Sequence, residues 1–499
     1  MAKFSWLAEL SARDPNQLLL VAGAARWHAG TICREIRGLA DRLAACRVLG
    51  VLADNSPAWV LADLAAQEAD VVHLPLPDFF NAEQLRHALE QTATDVVLTD
   101  QPERIGALDL GFSMVGRWND LIWMQRVVTP ATLPTGTGKI SFTSGSTGTP
   151  RGVCLSRDGL IDTALAVRER LADLPLRRHL AVLPLALLLE NVAGIYAPLL
   201  RGIPIHLPAL QHIGWHGMAG FDPAALDTAV SQAEASSVIL VPELLKAWTA
   251  FLGAGKRQPA AALQFVAVGG ARVDTALLAD ARRCGIPAYQ GYGLTEGGSV
   301  LTLNRPNDNG DGVGRPLAHA HIRIREGEVI VATSAFQGYI GDTTPATTAS
   351  REFATGDLGE VDARGHLHLA GRRTNLLITS YGRNVSPEWP EAILLSNPRI
   401  LQAIVLGEGQ PALSAILVPM PGVPQADIDA AVRRANAALP DYARIDTWIT
   451  SEPFSVTNGL ATGNGRPIRT RITERYAADL AALRADKALE QPECHDAVL

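Results

Sequence analysis

Short apolar runs alternate with helical patterns through the first third of this chain, and no feature of the sequence limits its fold more. Residues 47–52 form an apolar run of strand length. Residues 58–69 have helical spacing, with Pro57 just ahead, where a helix start tolerates proline. Residues 71–76 read as strand, 82–92 as helix and 96–100 as strand again. Such alternation implies parallel sheet covered by helices. Residues 238–241 and 265–268 are further buried strands of the same kind.

Beyond residue 310 or so the pattern changes. Residues 321–325 and 328–331 flank Glu326-Gly327, which predicts an antiparallel hairpin, and 356–369 repeats the arrangement around Asp362-Ala363-Arg364-Gly365. The stretch 305–370 reads as a small β-rich subdomain within an N-terminal domain of residues 1–373. Mixed strands and helices resume at 400–406, 414–418 and 428–439, predicting a separate C-terminal domain at 374–482 with a frayed helix and tail at 483–499. The expected fold class is α/β: a large N-terminal domain of parallel sheets covered by helices, with the β-rich subdomain, joined to a small α+β domain.

A chain of 499 residues is too long for one core, which agrees with that division. With 47% hydrophobic and 19% charged residues the composition is globular rather than disordered. The net charge of −7 comes without any basic block, so nucleic acid is not an expected partner. Cys33, Cys46, Cys154, Cys284 and Cys494 lie far apart, without metal or redox spacing, as thiols of a reducing compartment do. The first residues lack the long apolar run of a signal peptide, so a cytoplasmic location is expected. The most apolar stretch, 180–200, is interrupted by Glu190, Asn191, Pro184 and Pro198; it reads as a buried helix or cavity wall, not a transmembrane segment. Lysine occurs at only five positions (3, 139, 246, 256 and 487), so 39 of the 44 basic residues are arginine.

The most informative segment is 140–153. An apolar strand ends in Thr143-Ser144-Gly145-Ser146-Thr147-Gly148, followed by Pro150-Arg151-Gly152. Small residues let successive backbone N–H groups converge on an anion, and hydroxyls add neutral donors. The Walker pattern is absent. A surface loop of the same composition is the plain alternative for this segment alone, but it does not stand alone. Gln290-Gly291-Tyr292-Gly293-Leu294-Thr295-Glu296, Gly338-Tyr339, Thr355-Gly356-Asp357, Gly371-Arg372 and Gly382-Arg383-Asn384-Val385-Ser386-Pro387-Glu388 follow in order. Ala53-Asp54-Asn55-Ser56 and 74–76 precede it. Together, over residues 50–475, these resemble the adenylate-forming superfamily of acyl-CoA synthetases, luciferases and peptide-synthetase adenylation domains.

The resemblance implies ATP and Mg²⁺ as cofactors, a carboxylic acid as substrate, and a role for each motif. Thr143, Ser144, Gly145, Ser146, Thr147, Gly148 and Arg151 would hold the phosphates, and Thr295 the α-phosphate. Glu296, with Thr147, would take the metal; a carboxylate beside a phosphate makes sense only with a cation between them. Gly269, Gly270 and Ala271 would form one wall of the adenine site. Gln290, Gly291, Tyr292 and Gly293 would form the other, with Tyr292 stacking on the base. Asp357 and Arg372 would bind the ribose hydroxyls. Taken singly, Asp357 could be a turn residue and Tyr292 a core aromatic. The resemblance further makes Asn375 the pivot of a mobile C-terminal domain, and Tyr381 and Gly382 the lining of a tunnel for the acceptor thiol.

Two departures from the family pattern stand out. The pivot is asparagine rather than Asp or Lys. In Asn458-Gly459-Leu460-Ala461-Thr462-Gly463-Asn464-Gly465-Arg466-Pro467, Arg466 occupies the catalytic lysine's place, an exchange that keeps charge but changes shape. Lys487 lies in the expected tail and is a poor substitute. Leu187 stands where fatty-acyl relatives often carry His, and Leu187, Leu188, Leu189 and Ile195 suggest an apolar or fatty acid. The function expected is an acid–thiol ligase that forms an acyl-adenylate and transfers the acyl group to coenzyme A. Transfer to a carrier protein's phosphopantetheine or to an amine is the alternative. A second alternative is a nucleotide- or acyl-binding module disabled by Arg466. Oligomeric state is open.

Overall fold

The computed structural model describes residues 4–143, 151–215, 220–310, 312–342, 351–381, 383–462 and 465–490. The chain folds as two compact units: Met1–Thr355 with Gly359–Leu369, and Gly356–Leu358 with Ala370–Leu499.

Among the described residues, the first unit carries a nine-stranded and an eight-stranded sheet. The eight-stranded sheet runs, in spatial order, through Phe336–Tyr339, Arg151–Ser156, Thr137–Thr143, Val72–Pro75, Val48–Leu52, Val96–Thr99, Leu121–Gln125 and Ser113–Trp118. Its centre is parallel, as the alternating pattern requires. Every residue of Val48–Leu52 and Val96–Thr99 is buried, which is why these strands read as unbroken apolar runs. Each fully buried Val or Leu contributes about 1.5–3 kcal/mol relative to exposure. The helices between them start where the sequence places caps. Ser56 accepts from Trp59 N ahead of Pro57–Glu68, and Asn81 with Gln84 closes a capping box on Ala82–Gln91. The nine-stranded sheet is parallel through His179–Leu180, Ser237–Leu240, Phe265–Val268 and Ala288–Tyr292.

His321–Arg325 and Glu328–Thr333 pair antiparallel, as expected. Glu326 and Gly327, at φ 51° and 77°, form the tight turn whose hand matches strand twist. They belong to a four-stranded sheet with Arg351–Val361 and Leu367–Arg372.

The apolar stretch 180–200 is not one helix. It comprises the end of the strand His179–Leu180, a loop, a π-helix at Glu190–Tyr196 and an α-helix at Ala197–Arg201. Pro184 lies within that loop, and Glu190 and Asn191 are each held by buried partners. Glu190, fully buried, accepts from Leu183 N at 2.9 Å and pairs with His179 Nε2 at 2.9 Å. Its neighbour Asn191 donates to Asp63 at 2.7 Å. A Cβ on Gly194 would lie 2.0 Å from the Glu190 carboxylate, so only glycine fits there.

Asp63 anchors a charged cluster inside this unit. Lys139 Nζ donates to its two oxygens at 2.9 and 3.1 Å, Tyr196 OH donates to it at 2.6 Å, and His73 Nδ1 lies 2.7 Å away. Lys139 also donates to Asn191 and Tyr196. Burial alone would raise the Asp63 carboxyl, but Lys139 and His73 outweigh it and hold it far below the carboxylate range. Burial holds the His73 imidazole below its ordinary value.

The second unit carries a three-stranded sheet of Ile400–Leu406, Leu413–Pro419 and Ile445–Thr450, with the helices Glu388–Ser396, Gln425–Ala437 and Arg469–Glu490. Gln425–Ala437 packs its apolar residues Ile428, Ala431, Val432 and Ala435 into the core beside that sheet. The last helix runs to Glu490, into the stretch 483–499 where the sequence suggested a frayed helix and tail.

Candidate active site

The residues singled out in the first unit gather at strand ends. Thr143 closes its strand and pairs in register with Arg151, which opens the next one, so the two ends of the Gly/Ser/Thr loop are held together. Ser144, Gly145, Ser146, Thr147 and Gly148 lie outside the described residues. The Arg151 guanidinium lies 3.3 Å from the ring centre of Tyr339. Tyr339 comes from the edge strand Phe336–Tyr339, paired with Arg151–Ser156. Its hydroxyl donates to Glu296 Oε1 at 3.1 Å. Burial first, then the Glu296 charge, push the phenol up to about 12, so it remains a donor at neutral pH.

Thr295 and Glu296 sit in the short 3₁₀ helix Thr295–Gly297 that follows the strand Ala288–Tyr292. The turn beyond is tight: Gly298 has φ 77° and Ser299 φ 98°. A Cβ on Gly298 would come within 2.7 Å of Ala335, and one on Gly293 within 1.6 Å of Ser299 O. Glycine at both positions lets this turn fold down against its neighbours. His319 lies beside Gly297, and burial lowers its imidazole to about 4, which leaves it neutral.

Gly269 and Gly270 end the strand Phe265–Val268, which pairs Val268 with Gln290 of the next strand. A Cβ on Gly269 would lie 3.7 Å from Gly291 O and 3.7 Å from Leu189 Cδ2. The two proposed adenine walls, 269–271 and 290–293, are therefore neighbours, and the leucine segment adjoins them. Tyr292 is half-buried against the apolar cluster that includes Leu301, Val313 and Val331, so part of its side chain serves the core. The leucine segment is fixed from below by Asn55, which donates to Leu183 O at 2.9 Å and accepts from Leu185 N at 2.8 Å.

Among the described residues no three His, Cys, Asp or Glu side chains cluster as a metal site. Glu296 is half-buried, and among the described residues its one side-chain partner is Tyr339 Oη, on Oε1. That donor set suits Mg²⁺, which keeps several waters and takes one or two carboxylates plus substrate phosphates.

In the second unit, Arg372 Nε donates to Asp357 Oδ1 at 2.9 Å, so the two proposed ribose ligands meet. Asn375 ends the 3₁₀ helix Arg373–Asn375 and donates to Glu388, which also accepts from Ser386 Oγ at 2.7 Å. A Cβ on Gly371 would strike Ser386 Oγ at 1.9 Å. The Gly371-Arg372 and Ser386-Pro387-Glu388 motifs are thus packed on one another around the expected pivot. Tyr381 is 76% exposed, and Gly382 lies outside the described residues. Arg466 is exposed on a turn held by Thr462, whose N–H donates to Arg466 O at 2.8 Å and whose hydroxyl accepts from Arg466 N at 3.1 Å. Gly463 and Asn464, in the same motif, are outside the described residues.

Sequence reasoning gave no role to Tyr339, Lys139, Asp63 or Asn55. For Asn55 a signal existed, since it belongs to one of the recognised early motifs. For Lys139, scarcity of lysine was the one hint.

Residues 32–335 match the AMP-binding enzyme family model, and residues 374–488 match the AMP-binding enzyme C-terminal domain. The long-chain-fatty-acid–CoA ligase FadD15 of Mycobacterium bovis is 27% identical, over 85% of this chain and 86% of its own. The feruloyl-CoA synthase of an Amycolatopsis species is 25% identical, over 95% of this chain and 98% of its own. In fold, the chain is similar to O-succinylbenzoate coenzyme A synthetase (MenE) from Bacillus subtilis solved with AMP. The TM-score is 0.74 at 20% identity, covering 93% of this chain and 97% of that one. No helix among the described residues is long and apolar enough to cross a membrane. With more than half its length matched by the first model, the chain belongs to the AMP-binding enzyme family, as an AMP-forming ligase of acyl-CoA synthetase type within the adenylate-forming superfamily.

Proposed function

We propose that this enzyme activates an apolar carboxylic acid, of fatty or comparably hydrophobic kind, as its acyl-adenylate and transfers the acyl group to coenzyme A. The observation that carries this reading is the junction at Tyr339: one ring lies under the cation that closes the phosphate loop and bonds the carboxylate of the Thr295-Glu296 turn. Phosphate-loop charge and the proposed metal ligand thus share one place at the ends of two sheets. Open α/β sheets bind ligands outside the carboxyl ends of their strands.

In the first half-reaction an acid oxygen attacks the α-phosphorus, the new O–P bond forms, and the bond to pyrophosphate breaks. Arg151 and the loop hydroxyls take up phosphate charge, Thr295 holds the α-phosphate, and Arg466 offers a second cation as charge develops. Mg²⁺, when bound, neutralises phosphate charge, and Glu296 with Thr147 would hold it. Gly269, Gly270 and Ala271 with Gln290–Tyr292 enclose the adenine, and Asp357 with Arg372 takes the ribose. In the second half-reaction the thiol sulfur attacks the acyl carbon and AMP leaves. The C-terminal domain turns about Asn375 between the two, so that Tyr381 and Gly382 line the thiol's path and one site serves both steps.

The leucines support the apolar acid. Leu188 is buried, Leu187 and Leu189 are partly buried, and Leu189 lies beside the Gly269 turn. Relatives named for long-chain fatty acids and for ferulate share that general character. Free thiols at Cys33, Cys46, Cys154 and Cys284 suit a cytoplasmic setting.

ATP–pyrophosphate exchange with fatty acids of graded length, aryl acids and amino acids tests the reading. Exchange with hydrophobic acids, followed by thioester formation on adding coenzyme A, is the expected result. Thioester on a holo carrier protein instead would change the acceptor. No exchange with any acid in protein that binds ATP would leave either a site disabled by Arg466 or an acid outside the panel. Replacing Arg466 with Lys would then separate a disabled site from an untried acid: only in the first case would exchange appear.

A further inference from the structure

Glu296 has a neighbour that its role does not yet include. The Tyr339 hydroxyl donates to Glu296 Oε1 at 3.1 Å, and among the described residues no other side chain bonds that carboxylate. A carboxylate offers two oxygens, each with room for two partners. That donor lies on Oε1, and among the described residues no side chain is bonded to Oε2.

The ring that makes this bond is itself held on several sides. The Arg151 guanidinium covers it at 3.3 Å. Phe336 meets it edge-on, with centroids 5.2 Å apart. Its backbone N–H donates to Asp342 Oδ2 at 2.9 Å, and Asp342 N returns a bond to Tyr339 O at 3.0 Å. The strand pairs Tyr339 with Val153, two residues beyond Arg151. The hydroxyl therefore cannot swing away without disturbing the strand that leaves the phosphate loop.

The two halves of the contact come from different sheets. Glu296 follows the nine-stranded sheet's strand Ala288–Tyr292, and Tyr339 ends an edge strand of the eight-stranded sheet. Gly298 allows the Glu296 turn to approach Ala335, three residues before that edge strand's glycine, Gly338. The packing of the turn and the hydrogen bond reinforce one another.

We propose that Tyr339 is a positioning residue for the metal-binding carboxylate: it holds Glu296 through Oε1 so that Oε2 meets the Mg²⁺ of the bound nucleotide. This rests on the assignment of Glu296 to that metal. Groups that hydrogen-bond a ligating carboxylate typically change metal affinity about 10–100-fold when removed. With Arg151 on the ring's face, the same side chain links the charge at the end of the phosphate loop to the orientation of the carboxylate.

The test compares Tyr339→Phe, Glu296→Gln and the parent enzyme. Mn²⁺ binding in the presence of α,β-methylene-ATP is followed by electron paramagnetic resonance. Mg²⁺ titrations of pyrophosphate exchange run alongside. Tyr339→Phe keeps the ring under Arg151 and removes only the hydroxyl. It should weaken Mn²⁺ binding about 10-fold and raise the Mg²⁺ needed for half-maximal exchange by the same factor. The rate at saturating Mg²⁺ should stay within about 3-fold of the parent, because a positioning defect is overcome by mass action. Mn²⁺ binding within 2-fold of the parent, or a rate loss that saturating Mg²⁺ fails to restore, overturns the proposal. Glu296→Gln keeps the two failures apart. If it too leaves Mn²⁺ binding unchanged, the assignment of Glu296 is wrong; if it alone weakens binding, Glu296 stands and Tyr339 falls.

Discussion

Lys139→Met is the perturbation whose effect the structure bounds most tightly. Lys139 and Asp63 are each 1% exposed, and the ammonium sits 2.9 and 3.1 Å from the two carboxylate oxygens. Methionine matches the stem but leaves Asp63 as a buried charge. Tyr196 and Asn191 still donate to Asp63, so its hydrogen bonding is only partly lost. Removing one partner of a buried pair costs about 3–5 kcal/mol, and these remaining donors place the expected value near the lower figure. Domains of 150–250 residues lose about 2–4 °C in Tm per kcal/mol, and larger ones less, so the fall should be about 5 °C. Asp63→Leu with Lys139→Met removes the unpaired charge but takes the acceptor from Tyr196 and Asn191, so the double variant should recover only part of the loss. Guanidinium unfolding of the parent, both single variants and the double variant gives the cycle. A Lys139→Met variant within about 1 kcal/mol of the parent, or single effects that simply add, would show that the cluster is not the coupled charge pair described.

Other consequences follow from close contacts. Gly293→Ala should lower pyrophosphate exchange about 100-fold, because its Cβ would meet Ser299 O at 1.6 Å and shift the Thr295-Glu296 turn; wild-type rates would dismiss that turn as a catalytic element. Gly194→Ala should destabilise the enzyme by about 1–3 kcal/mol by pressing on Glu190 and His179, read as a lower Tm. In the second unit, burial outweighs Arg469 and pushes the Glu391 carboxyl up to about 7, from an ordinary 4.5. Its folded pKa is raised, so its stabilising contribution is complete below pH 4.5 and is lost as pH rises to about 7. Hydrogen exchange in Ile400–Leu406, corrected for intrinsic rates, should show protection falling across that window in the parent and a flatter profile in Glu391→Gln.

The parts of the fold that could be read from sequence were those whose burial is uniform along the element. Val48–Leu52 and Val96–Thr99 are buried at every residue, and such runs announce themselves. Ser113–Trp118 was invisible for the opposite reason: Met114 and Val115 are exposed at 64% and 57% on an edge strand, so no pattern marks it. The π-helix was hidden because it is held by buried partners outside its own segment, above all Asp63, 128 residues before Asn191. The same division holds at the site. The loop and the Tyr292-to-Glu296 run are local chemistry and legible as motifs. Tyr339 acts on a carboxylate 43 residues earlier, and no spacing rule reports such a meeting. Lys139 and Asp63, 76 residues apart, look like an ordinary strand residue and an ordinary helix residue until the fold brings them together.

The π-helix at Glu190–Tyr196 also bears on how this enzyme could acquire new substrates. Glu190 is tied to the nine-stranded sheet through His179, and Asn191 to the cluster around Lys139 of the eight-stranded sheet, while Asn55 grips the backbone at Leu183 and Leu185. None of these bonds uses the side chains of Leu187, Leu188 or Leu189. Leu188 is buried in the core, whereas Leu187 and Leu189, only partly buried, behave as exchangeable tips on a clamped frame. Larger, smaller or polar residues can be tried there by drift or by design while the backbone beneath them, and the Gly269 turn beside Leu189, keep their places.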